Sequence, residues 1–374
     1  MRKYLIAGLF PLLLMGCASG DNTSFAVTDA GSPDTITDAA RLPETTPPPP
    51  PLNDGGLGDG SFDLWPPSTE PISYFGGPVL TAPINVYFIW YGSWTDPKVA
   101  PVLEDMIKNL DTTAWYQIVT AYYEQLPLAV PDAGVSDGGL SKPKLRPHNK
   151  LNGDAGSSDA GMMVDSSAPD GSKVYVTNRV NFIESIYVGY THGTLLSDTD
   201  IATIVGESVS AGQLPPDPSG IYFVLTSADV TESNGFSGFC SDYCAWHGNQ
   251  TILKQNFRIA FVGDTGSCQY CNLQGEYVDA GFLTSPNDDW SADSMATAML
   301  HELVESATDP DPNTNVAWQD IYGAENGDKC AWTFGPVYET SNHSVANMPI
   351  GTRNYMIQQN WVLDSDGGHC ALHP

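Results

Sequence analysis

The chemistry-bearing residues of this chain gather in "MLHELVESATDPDP", which begins at Met299. On a helix, side chains four apart lie one turn above another on one face. His301 and Glu305 therefore point the same way and could grip one metal ion. Glu302 projects about a third of a turn from His301. A third ligand must come from downstream, and "NVAWQDIYGAENGDKC" offers Asp320, Glu325 and Asp328. Asp309 continues the helical face of His301 and Glu305, and Asp311 is also near.

In the His-Glu-x-x-His zinc hydrolases two histidines hold zinc, and the glutamate takes a proton from zinc-bound water. Here Glu305 stands where the second histidine would be. A carboxylate binds zinc, but it partly neutralises the ion and makes the site friendlier to harder cations. Glu325 lies 24 residues past His301, close to the offset at which the gluzincin class of zinc peptidases supplies its glutamate ligand. The competing reading is an ordinary amphipathic helix, since His-Glu-x-x-Glu arises easily by chance. Against it, the neighbouring "MATAML" is apolar and small, so the helix should be well buried. Buried carboxylates need partners, and only Lys329 and Arg353 are cations close in sequence. The expected site is His301, Glu305 and Glu325 as ligands and Glu302 as general base, with Asp328 and Asp309 as supporting or alternative ligands. The expected cofactor is one divalent metal, zinc, with calcium as the alternative.

The elements that must position these residues form one domain, 68–374, of α+β type: a mixed β-sheet with packed helices and a zincin-like metal helix. "INVYFIWYG", "IYFVLTSADV" and "FRIAFVGD" are dense β-branched and aromatic runs and predict buried strands. "KVYVTNRVNFIESIYVGY" and "NYMIQQNWVLD" read as extended. "PKVAPVLEDMIKNL", "TTAWYQIVTAYYEQ", "SDTDIATIVGESVSAG" and "SADSMATAMLHELVESATD" read as helices, the last stopped by Pro310. Trp90, Tyr91 and Trp94 are expected in the core rather than in a sugar-binding groove. Ser237 in "NGFSGFC" lacks the second glycine of a nucleophile elbow.

The start, MRKYLIAGLFPLLLMGC, reads as a lipoprotein signal peptide over 1–17, with Cys17 as the lipidated residue. Its apolar run is too short to span a bilayer. Residues 18–67 are rich in Pro, Gly, Asp, Ser and Thr and predict a disordered linker. A similar Asp-Ala-Gly-rich insertion is expected at about 127–171. The chain carries 15 Lys+Arg against 44 Asp+Glu, a net charge of −29, which argues against nucleic acid. The expected attachment is to a membrane through the N-terminal lipid, in the bacterial outer membrane or outside the cell. Peptide or cell-envelope polymer is the expected partner. With Cys17 set aside, Cys240, Cys244, Cys268, Cys271, Cys330 and Cys370 remain. In an exported chain six cysteines favour three disulfides over a zinc ribbon. His247, in "CAWHG", is expected to be a structural histidine beside the cysteines.

Several stretches together resemble the EXORDIUM / phosphate-induced protein 1 family, known from plant secreted proteins and found also in bacteria. They are "YFGGPVLTAPINVYFIWYGSW", "GIYFVLTSADV", "GFCSDYCAWHG", "MLHELVESATDPDP", "AWQDIYGAENGDKC" and "NYMIQQNWVLD" with the later His-Cys. Their order threads the region from about residue 70 to 374, apart from the insertion. The family's helix resembles His-Glu-Leu-Ala-Glu, followed by a Glu-Ile-x-Asp-x-Cys segment. The resemblance thus implicates His301, Glu302, Glu305, Glu325, Asp328 and Cys330, with Asn326 in place of the usual Ile. It implies growth-related and cell-wall roles in plants and no settled enzymatic activity. The lipid signal and the insertion depart from the plant pattern.

Overall fold

Eight consecutive residues, Ile84–Tyr91, form the strand β1 at the centre of the molecule, and seven of them are buried. The structure, a computed structural model, describes residues 70–126, 173–268, 270–279 and 281–374. The expected signal peptide with Cys17, the expected 18–67 linker and the expected insertion at about 127–171 lie outside the described residues. Strands β2 (Val180–Val188), β3 (Gly220–Thr226), β4 (Ala245–Ile252) and β5 (Gln255–Gly263) join β1 in one sheet of order β2-β1-β3-β5-β4. The first four strands in that order run parallel, and β4 pairs antiparallel with β5 along the edge.

Both faces of the sheet are covered, which explains the unbroken apolar runs. On one face Val86, Phe88 and Trp90 pack with Phe223, Leu225 and Val262 against the helices α1 (Val99–Asn109) and α3 (Trp290–Thr308). On the other, Tyr87, Ile89, Tyr222 and Phe261 pack against α2 (Asp198–Ser210). Mixed strands with packed helices agree with the α+β expectation. Trp90 and Tyr91 are in the core, as expected, and Trp94 is partly buried against it. Among the described residues no helix is long and apolar enough to cross a membrane.

Two expectations change. "TTAWYQIVTAYYEQ" holds only one α-turn, Ala114–Gln117, then a 3-10 turn and a short strand, Tyr123–Gln125. Its aromatic rings are tied to distant carbonyls: Trp115 donates to Gln358 O at 2.8 Å and Tyr122 to Trp361 O at 2.8 Å. These anchors outweigh helix propensity, which is a weak preference per residue. "NYMIQQNWVLD" is two short strands, Arg353–Tyr355 and Asn360–Val362, separated by a link containing Gln358. Tyr123–Gln125 pairs antiparallel with Lys173–Tyr175 and makes a two-stranded stem.

Helix α2 begins with a capping box, Ser197 and Asp200 each bonding the other's backbone N–H. Its first residue, Asp198, faces Glu232, and both are buried. Tyr243 and Trp246 donate to Glu232 Oε2 at 2.5 and 3.3 Å. Burial first, and then the Asp198 carboxyl, push the Glu232 pKa up to about 8. Between about pH 4.5 and 8 the folded chain keeps a proton that the unfolded chain has released. This group's contribution to stability should therefore fall as pH rises through that window, by up to ~1.4 kcal/mol per pH unit. Urea unfolding of Glu232→Gln at several pH values should show that slope removed. An unchanged slope would assign it to another group.

Candidate metal centre

Helix α3 carries its ionisable residues into the interior. Asp289 caps it by accepting from Ala292 N at 3.0 Å, and Pro310 follows its end. Residues from Ala292 to Thr308 are all buried, so His301, Glu302 and Glu305 have protein on every side. The following loop folds back over them. The Asp328 N–H donates to Glu305 Oε1 at 3.0 Å, and the Glu325 N–H donates to Asp328 Oδ2 at 3.1 Å. A Cβ on Gly327 would lie 2.6 Å from Glu305 Oε1 and 3.0 Å from the His301 ring, so this close approach needs glycine.

The result is one buried cluster. His301 Nε2 lies 3.0 Å from Glu305 Oε1 and 3.4 Å from Asp328 Oδ1. Of the expected ligands, Glu305 belongs to two potential ligand sets: His301 shares one with Glu302, and Glu325 shares the other with His247, so the expected triple does not form a single set. Glu302 joins His301 and Glu305, with one potential ligand atom from each mutually within 4.8 Å. His247, expected to be structural, is a full participant. Its Nε2 lies 3.0 Å from Glu325 Oε2 and 4.0 Å from Glu305 Oε2. It sits on β4, two residues from Ala245, which packs on the face that α3 covers. Strand alternation therefore aims it at the helix. The missed signal was the strand itself: "AWHGNQTI" is too polar to read as one.

Asp309 is not part of the cluster's ligand sets. Its Oδ1 accepts from Ala317 N at 3.0 Å, fixing the chain after the helix, and burial pushes its pKa up to about 8. Asp311 pairs with Arg258 at 3.2 Å, and Asp320 with Lys329 at 3.1 Å. Arg353 lies 3.8 Å from Asp105. Both cations near in sequence thus have carboxylate partners outside the cluster.

Burial pushes the Glu305 pKa up to about 7, although His301 pulls it down. Burial also holds His247 down, to about 3, so its ring is neutral and has a lone pair to give. Burial opposes charging His301, but Glu305, Asp328 and Glu302 outweigh it and raise its pKa well above the ordinary range. Glu305 Oε2 and Asp328 Oδ1 are buried without a hydrogen bond. Such atoms are costly to bury, and a divalent cation would satisfy them. Two imidazoles with several carboxylates are a donor set that fits zinc.

The six cysteines form three disulfides, Cys240–Cys268, Cys244–Cys271 and Cys330–Cys370. The first two tie the segment before β4 to the chain after β5. The third ties the loop that carries Glu325 and Asp328 to the C-terminal strands. The four-cysteine zinc alternative is therefore set aside.

Residues 163–352, just over half the chain, match the model of the phosphate-induced protein 1 conserved region. The chain belongs to the phosphate-induced protein 1 family. This phosphate-induced protein 1 chain is 26% identical over 285 residues to Protein EXORDIUM-like 5 of Arabidopsis thaliana, an alignment covering 71% of the chain. It spans 65% of that relative, under two thirds of the relative's length. It is also 24% identical over 319 residues to Protein EXORDIUM-like 3 of the same plant, covering 78% of this chain and 80% of the relative. No solved structure matches. The matched conserved region contains β2 to β5, α3 and the Glu325–Asp328 loop, hence every cluster residue named above.

Proposed function

We propose that this family member is an exported protein whose buried cluster holds one divalent metal ion, zinc, as a closed centre that stabilises the fold. The observation that carries this reading is the burial of the donors. His247, His301, Glu302, Glu305, Glu325 and Asp328 are each at most 4% exposed. Structural zinc sites are closed in this way, whereas catalytic ones keep a position open to water and substrate. Calcium prefers six to eight oxygens, and the imidazoles here favour zinc over it. Residues 1–17 supply the export signal and Cys17 the lipid, which would attach the protein to the outer membrane. A cell-envelope polymer or peptide is the proposed partner.

A second reading rests on Glu302, which stands beside His301 and Glu305 as a general base would. In it the protein is a metallopeptidase of the His-Glu-x-x-Glu type, and the site opens to admit peptide. Bound zinc would supply an acidified water. Glu302 would hold that water's proton, and His301, Glu305 and Glu325 would fix the geometry.

The test is metal analysis of the full-length protein purified from an oxidising compartment. About one zinc per chain, lost in Glu305→Gln and Glu325→Gln, is the expected result. A metal-free wild type, or zinc that survives both substitutions, would overturn the centre. Peptide hydrolysis that Glu302→Gln abolishes without loss of zinc would carry the second reading in place of the first.

A further inference from the structure

Two sets of potential ligands lie side by side in the cluster, and Glu305 is the residue they share. His247 and Glu325 complete one set, His301 and Glu302 the other, each with one atom per residue mutually within 4.8 Å. No set among the described residues unites the two imidazoles. Two ligands of one zinc ion lie at most about 4.3 Å apart, twice a bond of ~2.1 Å. In this arrangement a single ion serves one set, and the imidazole of the other set is left over.

The Glu305 carboxylate is placed to serve both. Its Oε1 lies 3.0 Å from His301 Nε2, and its Oε2 lies 4.0 Å from His247 Nε2. On the first side, His301 Nε2 is buried without a hydrogen bond, and so is Asp328 Oδ1, 3.4 Å from it. On the second side, Glu305 Oε2 is likewise buried without one, and Glu325 Oε2 stands 3.0 Å from His247 Nε2. Buried polar atoms without partners are costly, and here they lie on both sides of one carboxylate. An ion held by one set would satisfy only the atoms on its own side.

We infer that the cluster has positions for two adjacent divalent cations bridged by Glu305, one at His247 and Glu325 and the other at His301 and Glu302, with Asp328 beside it. This rests on the reading that the cluster binds a divalent ion, and it raises the capacity from one ion to two. The ion of the preceding test, which depends on Glu305 and Glu325, occupies the first position. The second fills when metal is abundant as the chain folds, because metal binding couples to folding and the folded donors are buried.

The full-length protein is produced in medium with excess zinc, desalted and analysed for metal. About two zinc ions per chain are expected, with zinc–zinc scattering in X-ray absorption at about 3.5–4 Å, the spacing of two-metal sites. A single zinc per chain would overturn the inference and leave the metal centre standing, whereas no zinc would remove both. A second zinc without zinc–zinc scattering would be an ion held elsewhere on this acidic chain, and would overturn the inference too. Manganese gives an independent readout. Two manganese ions that share Glu305 couple magnetically, so the six-line electron paramagnetic resonance signal of an isolated ion should give way to a coupled spectrum. Glu302→Gln and Glu325→Gln should each lower manganese from two per chain to one and restore the six-line signal, and unchanged content in both would count against the two positions. Where a variant fails to fold, the wild-type stoichiometry and zinc–zinc distance decide.

Discussion

Lys329→Met should destabilise the protein by about 3–5 kcal/mol, the range for removing one partner of a buried ion pair. Lys329 and Asp320 are both buried, 3.1 Å apart, with both side chains fully withdrawn from solvent. Lys329 also donates to Glu70 O at 2.7 Å and lies over the Trp361 ring. Asp320 would keep the Tyr322 and Ala324 N–H donors, at 2.8 and 3.0 Å, but would lose its cation. The charge left behind accounts for most of the effect, so Lys329→Met combined with Asp320→Asn should recover part of the loss. Guanidinium unfolding of both variants measures this. A single variant with an unshifted midpoint would show that water reaches Asp320 and screens it.

Replacing Cys330 and Cys370 together by serine should cost roughly 4 kcal/mol, from the loop entropy released in the unfolded chain. The bridge spans 40 residues. It joins the loop bearing Glu325 and Asp328 to the pair Asn360–Val362 and His369–Ala371, in which Trp361 stands opposite Cys370. Under the proposed metal reading its loss should also weaken zinc retention, because Glu325 would be less firmly held over the helix. Thermal unfolding with and without reductant gives the first effect and metal analysis the second. Equal unfolding temperatures in wild type and variant would show that the denatured chain gains little freedom when the bridge is cut.

Much of this architecture was legible in the sequence, and for identifiable reasons. β1, β3 and β5 are covered on both faces, so their apolar runs are unbroken. α2 announces itself through Ser197 and α3 through Pro310. The closeness of His301 and Glu305 follows from helical spacing, and the contact of the Asp328 N–H with Glu305 from a returning loop. What the sequence hid was set by distant partners. Trp115 and Tyr122 hold a helix-like stretch in turns because their polar ends reach carbonyls at Gln358 and Trp361. β4 has a polar sequence because part of it meets polar partners: Asn249 bonds Asn256 and Thr314, and His247 faces the carboxylates. Its pairing with β5 supplies the backbone bonds that its composition does not advertise. His247 was hidden with its strand.

The stem of Tyr123–Gln125 and Lys173–Tyr175 closes the chain on itself where the segment from 126 to 172 departs and returns. Opposed strand residues stand only ~5 Å apart. The folded body therefore registers that segment as two adjacent ends, whatever lies between them. The stem is in this sense a grafting point, at which a foreign peptide or a whole small domain could be spliced in while the sheet and its helices keep their places.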